Sequence, residues 1–494
     1  MHEADTRTDR RTDGRTATAG RPGHHPGHVV VIGGGIAGLA AAHRLLADGA
    51  RVTLLEAGPR LGGKLRAGEL AGAPVDLGAE SVLARRPEAV ALARAVGLGE
   101  ALQPPATATA HLWTRGALRP MPRGHVMGVP GDLGPLAASG VLSAEGLARI
   151  EAEHALPPAE IGEDVAVGEY VAARLGHEVV DRLVEPLLGG VYAGNAYRIS
   201  MRAAVPQLFE AARTHALLGQ GVRDLQRRAA EQPQAAGPVF AGIDGGIGRL
   251  PLAVAEACRR AGARISTGTP VREVHRGAHG WKVVADGEVI DADAVVLATP
   301  AGPAARLLDG LAPAAAAELR AVEYASMALV TMAFRRSELP DAIAGGGASG
   351  FLVPPVDGRT IKASTFSSNK WAWAGADPGL FLLRTSVGRH GDEKDLERED
   401  ADLVDVSLRD LGEAVGLAAR PVASTVTRWD GGLPQYPVGH LARVERIRAA
   451  VAALPGLAVC GALYDGVGIP ACVASATRAA DVVMATLGTP GTDH

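Results

Sequence analysis

Apolar positions in the first part of the chain come in short unbroken runs, separated by clusters of glycine. His28 to Ile32 reads His-Val-Val-Val-Ile, and a similar run occupies Arg51 to Leu55. Runs of this length without polar alternation predict strands buried on both faces, as in a parallel sheet. The alanine-rich stretch between them has helical character, so strand, helix and strand succeed one another as in a βαβ unit. Later segments repeat the theme. Gly245 to Pro251 opens a helix, Ser266 to His275 reads as a strand, and Asp293 to Pro300 reads as a buried strand ending in a turn. Leu457 begins a strand that ends at a glycine-rich turn before an Ala-rich helix. The expected class is α/β.

Residues 1 to 27 break this pattern. They are rich in Arg, Thr, Asp, Gly and His with hardly any large apolar side chain, and are expected to be a disordered tail. The tail's arginines ahead of Val29 to Ala42 imitate a secretory leader, but Glu3, Asp5, Asp9 and Asp13 and the glycines at turn spacing contradict it.

Composition narrows the classes. At 494 residues with 47% hydrophobic and 21% charged positions, the chain has room for two or three globular domains. The 50 Lys and Arg against 54 Asp and Glu supply no global basic field, so nucleic acid is not an expected partner. Cys258, Cys460 and Cys472 lack any C-x-x-C spacing, which argues against a disulfide framework, a zinc site or an iron-sulfur cluster and fits a reducing cytoplasm. No stretch reaches the ~18 uninterrupted apolar residues of a membrane-spanning helix, which leaves a peripheral membrane contact open. There is no arranged Ser/His/Asp set, no H-E-x-x-H and no isolated carboxylate pair, so neither a metal nor a catalytic side chain is expected.

The first strand runs into Gly33-Gly34-Gly35-Ile36-Ala37-Gly38, a G-x-G-x-x-G in its strand-to-helix setting. Gly33 allows the tight turn, Gly35 lets the backbone approach a pyrophosphate, and Gly38 lets helix and strand pack closely. The helix N-terminus adds N–H donors and a positive dipole end. Glu56, at the end of the second strand, is placed to accept hydrogen bonds from adenosine ribose hydroxyls and disfavours a 2′-phosphate.

After Glu56 the chain reads Ala57-Gly58-Pro59-Arg60-Leu61-Gly62-Gly63-Lys64. This resembles the extended motif of the superfamily of amine oxidases, phytoene desaturases and protoporphyrinogen oxidases, and the resemblance implies FAD. It implies contacts from Glu56, Ala57, Arg60, Gly63 and Lys64, and from the turn Gly78-Ala79-Glu80-Ser81. Val271 is expected at the adenine, Trp429 near the flavin, and Gly466-Val467-Gly468-Ile469 beside the ring, where a helix N-terminus helps it take electrons. Segments near residues 33, 270 and 468 make the FAD domain discontinuous. Keeping both ends of this set separates the chain from the non-enzymatic alternative, a binding module like the GDP-dissociation inhibitors.

Further stretches are similar to the coproporphyrinogen III oxidase and protoporphyrinogen oxidase family, especially its Gram-positive type. They are Pro120 to Pro130, Glu185 to Gly194, Arg428-Trp429 with Pro434 to His440, and Gly466 to Pro470. Together the motifs spread over nearly all of residues 28 to 487. The resemblance implies oxidation of coproporphyrinogen III to coproporphyrin III in haem biosynthesis, with O2 as acceptor, H2O2 released and FAD held without a covalent bond. Protoporphyrinogen IX oxidase and flavin amine oxidase are the alternatives. Arg85 or Arg86 is expected to pair a substrate propionate, and Val191 and Tyr192, in an apolar turn, to pack against the macrocycle. Lys370 beside Trp371 is expected to be exposed. Ala471 stands where the family commonly carries an acid.

The expected architecture is thus a discontinuous Rossmann-like FAD-binding domain (28–85, 239–303 and 421–487) with a mixed-sheet substrate domain (86–114, 216–238 and 304–420) and a helical insertion (115–215).

Overall fold

The computed structural model describes residues 27–157, 160–231 and 237–488; of the tail expected to be disordered over residues 1 to 27, residues 1 to 26 lie outside the described residues, while Gly27 is ordered and its carbonyl accepts from Arg51 N–H at 2.9 Å. A five-stranded parallel sheet has the order Arg264–Ser266, Arg51–Leu55, His28–Ile32, Ala294–Leu297, Leu457–Val459. Side-chain alternation sorts this sheet into two layers. Val29 and Val31 join a core with the helices Ile36–Ala47, Arg249–Arg260 and Ile469–Leu487. Val30 and Ile32 join a second core with the helices Ala301–Leu308, Pro313–Arg320 and His440–Ala452 and a three-stranded antiparallel sheet. The continuous apolar runs in the sequence reflect this coverage on both faces.

A seven-stranded sheet has the order Ala423–Pro434, Tyr324–Arg335, Leu380–Val387, Ile361–Thr365, Gly350–Leu352, Ala110–Thr114, Ala117–Pro120. It is mixed, because Gly350–Leu352 runs parallel to Ala110–Thr114 while the other neighbours are antiparallel. Ala328, Val330, Met332 and Phe334 from its longest strand form a core that takes in Leu403 and Leu411 of the helix Asp400–Val415. Residues alternating with them, among them Met327 and Thr331, stand on the other face. A third body is helical, from Leu133–Ser139 to Leu218–Glu231, with its own core. Inside it, Arg174 and Glu153 form a buried pair at 3.1 Å, and the arginine also donates to the carbonyls of Pro157 and Ala216 at 2.6 and 2.8 Å. That full set of partners makes the burial of the two charges tolerable.

Several expectations need correction. Ser266 to His275 is two strands, Arg264–Ser266 and Val271–Gly277, because Gly268 and Thr269 turn back to donate to the carbonyls of Gly58 and Glu56 at 2.7 and 2.9 Å. Residues 423–434 are expected in the FAD-binding domain, but their register with Tyr324–Arg335 puts them in the seven-stranded sheet. Ala117–Pro120 likewise pairs with Ala110–Thr114 and belongs to that sheet rather than to the helical insertion. Val191 and Tyr192 occupy the last turn of a helix, Glu185–Tyr192, and not a loop turn.

The strand Ile361–Thr365 contains a bulge. Ile361 pairs with Val387 and Ala363 with Ser386, which leaves Lys362 as the extra residue. Its side chain is buried, and Nζ donates to the Gly388 carbonyl at 2.7 Å and lies 3.9 Å from Met327 Sδ. Burial first, and then the nearby Arg389 charge, push its pKa down from 10.5 to about 7. In the unfolded chain the amine stays protonated across that interval, so the unfolded state binds more protons and stability rises with pH. Urea titrations of the wild type are expected to gain on the order of 2 kcal/mol relative to Lys362→Met between about pH 7 and about pH 9. Parallel pH profiles for the two proteins would show that the lysine is solvated.

Candidate functional site

Segments far apart in sequence meet along the carboxyl edge of the parallel sheet. Gly33 leaves the first strand at φ +113°, a conformation suited to glycine, and its N–H donates to the Leu55 carbonyl at 2.8 Å. A Cβ on Gly33 would lie 2.6 Å from the Ala298 carbonyl oxygen, and one on Gly38 would overlap the carbonyl oxygen of Gly33. Gly35 differs, since nothing lies within 4 Å of the place its Cβ would take. The open side of the turn is therefore at Gly35. Ile36, Ala37 and Gly38 begin the helix with no side-chain cap, so their N–H groups remain for a ligand.

Glu56 is held rigidly at the end of the second strand. Its Oε2 accepts from Gly34 N–H at 2.6 Å and its Oε1 from Gly58 N–H at 2.7 Å. Each oxygen keeps a lone pair for a ribose hydroxyl. Beyond the exposed Ala57, Gly62 bridges back to Gly34 by an N–H bond of 2.8 Å, and Arg60 donates to the Gly63 carbonyl at 2.8 Å while lying 5.7 Å over the Trp429 ring. Lys64 is solvent-accessible, and desolvation by surrounding protein lowers its pKa. Among the described residues it has no ion-pair partner.

The turn after Asp76 passes directly over this strip. Gly78 sits where a Cβ would overlap the Lys64 carbonyl oxygen and come 3.2 Å from the Trp429 ring. Trp429 Nε1–H donates to the Leu77 carbonyl at 3.0 Å, and Arg384 donates to the Gly78 carbonyl at 2.7 Å. Ala79 N–H closes on the Lys64 carbonyl at 3.2 Å, with Ser81 half-buried behind it. Asp76 accepts the N–H groups of Ile247 and Gly248, both at 2.9 Å, and burial pushes its pKa up to about 6.

Glu80 departs from expectation. It is buried and ion-paired with Lys370 and, at 3.1 Å, with Arg384. Burial alone would raise its pKa, but the Arg384 and Lys370 charges outweigh it and hold the carboxyl below its usual range. Glu80 thus fixes the turn from within instead of facing a cofactor, and Lys370 is enclosed instead of exposed. Val271, half-buried, opens its strand just after the Gly268–Thr269 turn over Glu56.

At the far end of the chain, Gly466 adopts φ +129° and Gly468 precedes the helix Ile469–Leu487, again with no side-chain cap. Val467 packs against the helical insertion's core, so this segment is one of the places where the insertion meets the rest of the molecule. Cys472, in the first turn of that helix, turns its Sγ toward the Gly466 carbonyl at 3.8 Å. Burial pushes the Cys472 thiol up to about 12 and the Cys460 thiol higher still.

These groups fit an FAD-like dinucleotide. Two uncapped helix N-termini and an unpaired lysine suit a diphosphate and an electron-rich ring, and a fixed carboxylate suits a ribose. The expected substrate residues divide. Arg86 is engaged by Glu88 at 2.6 Å, whereas Arg85 is exposed without an ion-pair partner among the described residues. Val191 is 44% exposed, but Tyr192 is 7% exposed and packs on Tyr436. Sequence reading missed Arg384 and Lys362. No local motif marks them, because their partners lie far along the chain or arise from a bulge.

The sequence profile of the family described as flavin containing amine oxidoreductase matches residues 36–484. The chain is 40% identical over 468 residues to the coproporphyrinogen III oxidase of Mycobacterium tuberculosis, which covers 94% of this chain and 98% of that protein. It is 33% identical over 456 residues to the coproporphyrinogen III oxidase of Bacillus subtilis, covering 90% and 95%. A solved structure from Exiguobacterium sp. 255-15 that carries the protoporphyrinogen oxidase name matches with a TM-score of 0.82 at 32% identity, over 94% of this chain and 100% of that one.

The open space at Gly35 yields a discriminating substitution. Gly35→Ala is expected to leave flavin-free thermal stability within about 1 kcal/mol of wild type while lowering bound flavin at least about tenfold, measured as visible absorbance per protein. Full flavin content in this variant would place the phosphates elsewhere.

Proposed function

Since this chain belongs to the flavin containing amine oxidoreductase family, we propose that it is an FAD-dependent porphyrinogen oxidase of haem biosynthesis. It converts coproporphyrinogen III to coproporphyrin III, each two-electron cycle reducing one O2 to H2O2. The observation that carries this reading is the near-complete coverage of the mycobacterial coproporphyrinogen III oxidase at 40% identity, which takes in the insertion as well as the cofactor segments. No described helix is long and apolar enough to cross a membrane. A cytoplasmic enzyme that meets membranes at most peripherally is the reading that accompanies this activity.

When bound, the flavin supplies a two-electron acceptor for carbon-bound hydrogen. Gly33 to Gly38, Glu56, Arg60 and Lys64 would hold its nucleotide half, and Gly78, Trp429 and Gly466 to Ile469 its ring. The buried, protonated thiols of Cys460 and Cys472 favour non-covalent attachment. The N-terminus of the helix Ile469–Leu487 would favour negative charge on the ring held beside it. The pyrrole nitrogens of a porphyrinogen supply the electron push, so the residues bind and orient and no side-chain base is assigned. Arg85 anchors a propionate, and the exposed Val191 contributes apolar contact.

The aerobic test presents the holoprotein with coproporphyrinogen III, protoporphyrinogen IX and simple amines at matched concentrations. Porphyrin fluorescence and peroxide are expected with coproporphyrinogen, at least about tenfold faster per KM than with protoporphyrinogen. Flavin reduction by amines alone would overturn the reading. Arg85→Ala is expected to raise KM for coproporphyrinogen about tenfold with kcat changed less than about twofold. An unaltered KM would remove Arg85 from the substrate.

A further inference from the structure

We propose that Tyr436 and His440 are positioning residues for the cofactor, fixing the segment Ala462–Gly468 whose glycines lead into the helix Ile469–Leu487. This inference rests on the bound flavin and not on which substrate reduces it.

Tyr436 and His440 lie one helical turn apart in the stretch that enters the helix His440–Ala452, and their rings stack at 4.0 Å with an interplanar angle of 12°. Both are buried, at 2% and 1% exposure. Tyr436 Oη–H donates to the Ala462 carbonyl, and the His440 ring, through Nε2, meets the Leu463 carbonyl at 3.0 Å. A carbonyl only accepts, so Nε2 carries the proton and the imidazole is the Nε2–H tautomer. Its Nδ1 is buried without a partner. Burial lowers the ring's pKa to about 4, so it stays neutral near pH 7 and keeps this single donor.

Neither polar group is explained by packing. An apolar ring would fill either place without burying a hydroxyl or an orphan nitrogen, and a buried polar atom without its full complement of bonds opposes folding. The two side chains supply a pair of donors aimed at consecutive carbonyls of the cofactor-facing segment. The same segment is held from other sides, where Gly461 N–H donates to Ser475 Oγ at 3.1 Å and Asp465 takes Arg448 at 2.6 Å and Arg478. Residues 461–465 are therefore fixed, and Gly466 to Gly468 are the part left to meet a ligand.

The stretch containing Tyr436 is fastened to the helical insertion as well. Tyr192 packs on Tyr436 with ring centroids 5.5 Å apart, Gln435 Nε2–H donates to the Tyr192 carbonyl at 2.9 Å, and Ser200 N–H donates to the Tyr436 carbonyl at 2.8 Å. Tyr192, expected at the substrate, is thereby the outer member of a column that ends on the cofactor segment.

The test uses full-length holoprotein. Tyr436→Phe deletes one hydroxyl and keeps the ring, His440→Leu removes the second donor, and His440→Gln restores an amide N–H near the Nε2 position. FAD release on dilution, tracked by the return of flavin fluorescence, is expected to quicken about tenfold in Tyr436→Phe and His440→Leu and to recover in His440→Gln. The flavin visible spectrum and midpoint potential are expected to shift in the first two. Wild-type release, spectrum and potential in both would overturn the proposal and leave the pair as core packing. Should one of these two variants fail to fold, the other decides, since each removes a single donor and a merely structural role does not move the potential. If the wild type holds FAD but does not oxidise porphyrinogens, the substrate reading falls while these flavin measurements still judge Tyr436 and His440.

Discussion

The structure depends on backbone approaching backbone at the end of the first strand. Gly38 faces the Gly33 carbonyl with no room for a Cβ, and Gly33 itself turns against Ala298. Only with that contact does the helix Ile36–Ala47 start close enough to the sheet to aim its first N–H groups past Gly35 into open space. Every later segment is placed relative to this edge. Gly62 bonds to Gly34, Thr269 bonds to Glu56, and Cys460 N–H bonds to Leu297 at 3.0 Å where the last strand leaves the sheet. The cofactor cleft is thus a property of strand ends lying side by side, which a parallel sheet provides whatever the distance in sequence between them.

A second constraint comes from two buried carboxylates. Asp76 ties its turn to the N-terminus of the helix Arg249–Arg260, and Glu80 ties the same turn to Lys370 and Arg384 of the seven-stranded sheet's layer. A buried carboxylate left without its cation costs roughly 3–5 kcal/mol, so the turn cannot drift while these pairs stand. The geometry of Gly78 against Lys64 and Trp429 results from them. Glu80, which reads in sequence as a cofactor contact, has a side chain that braces the Gly78 turn.

Local and distant encoding divide the parts of the site that can be read from sequence from those that cannot. Gly33 to Gly38, Glu56 and the Arg60 to Lys64 stretch are legible because their chemistry is local. A turn, a helix start and a strand end are each encoded within a few residues, and the rest of the fold only has to leave room. Glu80 and Lys370 are 290 positions apart, and nothing near either announces the other. Lys362 reads as an ordinary strand residue, and only the pairing of Ile361 and Ala363 with non-alternating partners reveals the bulge that buries it. Within Ser266 to His275 the turn has a local signal in Gly268 and Pro270, but its direction is set by distant acceptors, the carbonyls of Gly58 and Glu56.

The interleaving of the two bodies in sequence has a physical consequence at the cleft. Residues 423–434 complete the seven-stranded sheet, and the chain then passes through Tyr436 and His440 before supplying the last strand of the parallel sheet. Trp429 on one side of this passage bonds to the Leu77 carbonyl beside Gly78, and Tyr436 on the other bonds to the Ala462 carbonyl. A single continuous stretch therefore contacts both ends of the cofactor cleft and the helical insertion. Had each body been encoded in one block, the cleft walls would be joined only by an interface free to shift. Threading one chain between them makes the distance from the insertion to the cleft a matter of covalent length and a few buried hydrogen bonds, which suits a reaction governed by orientation.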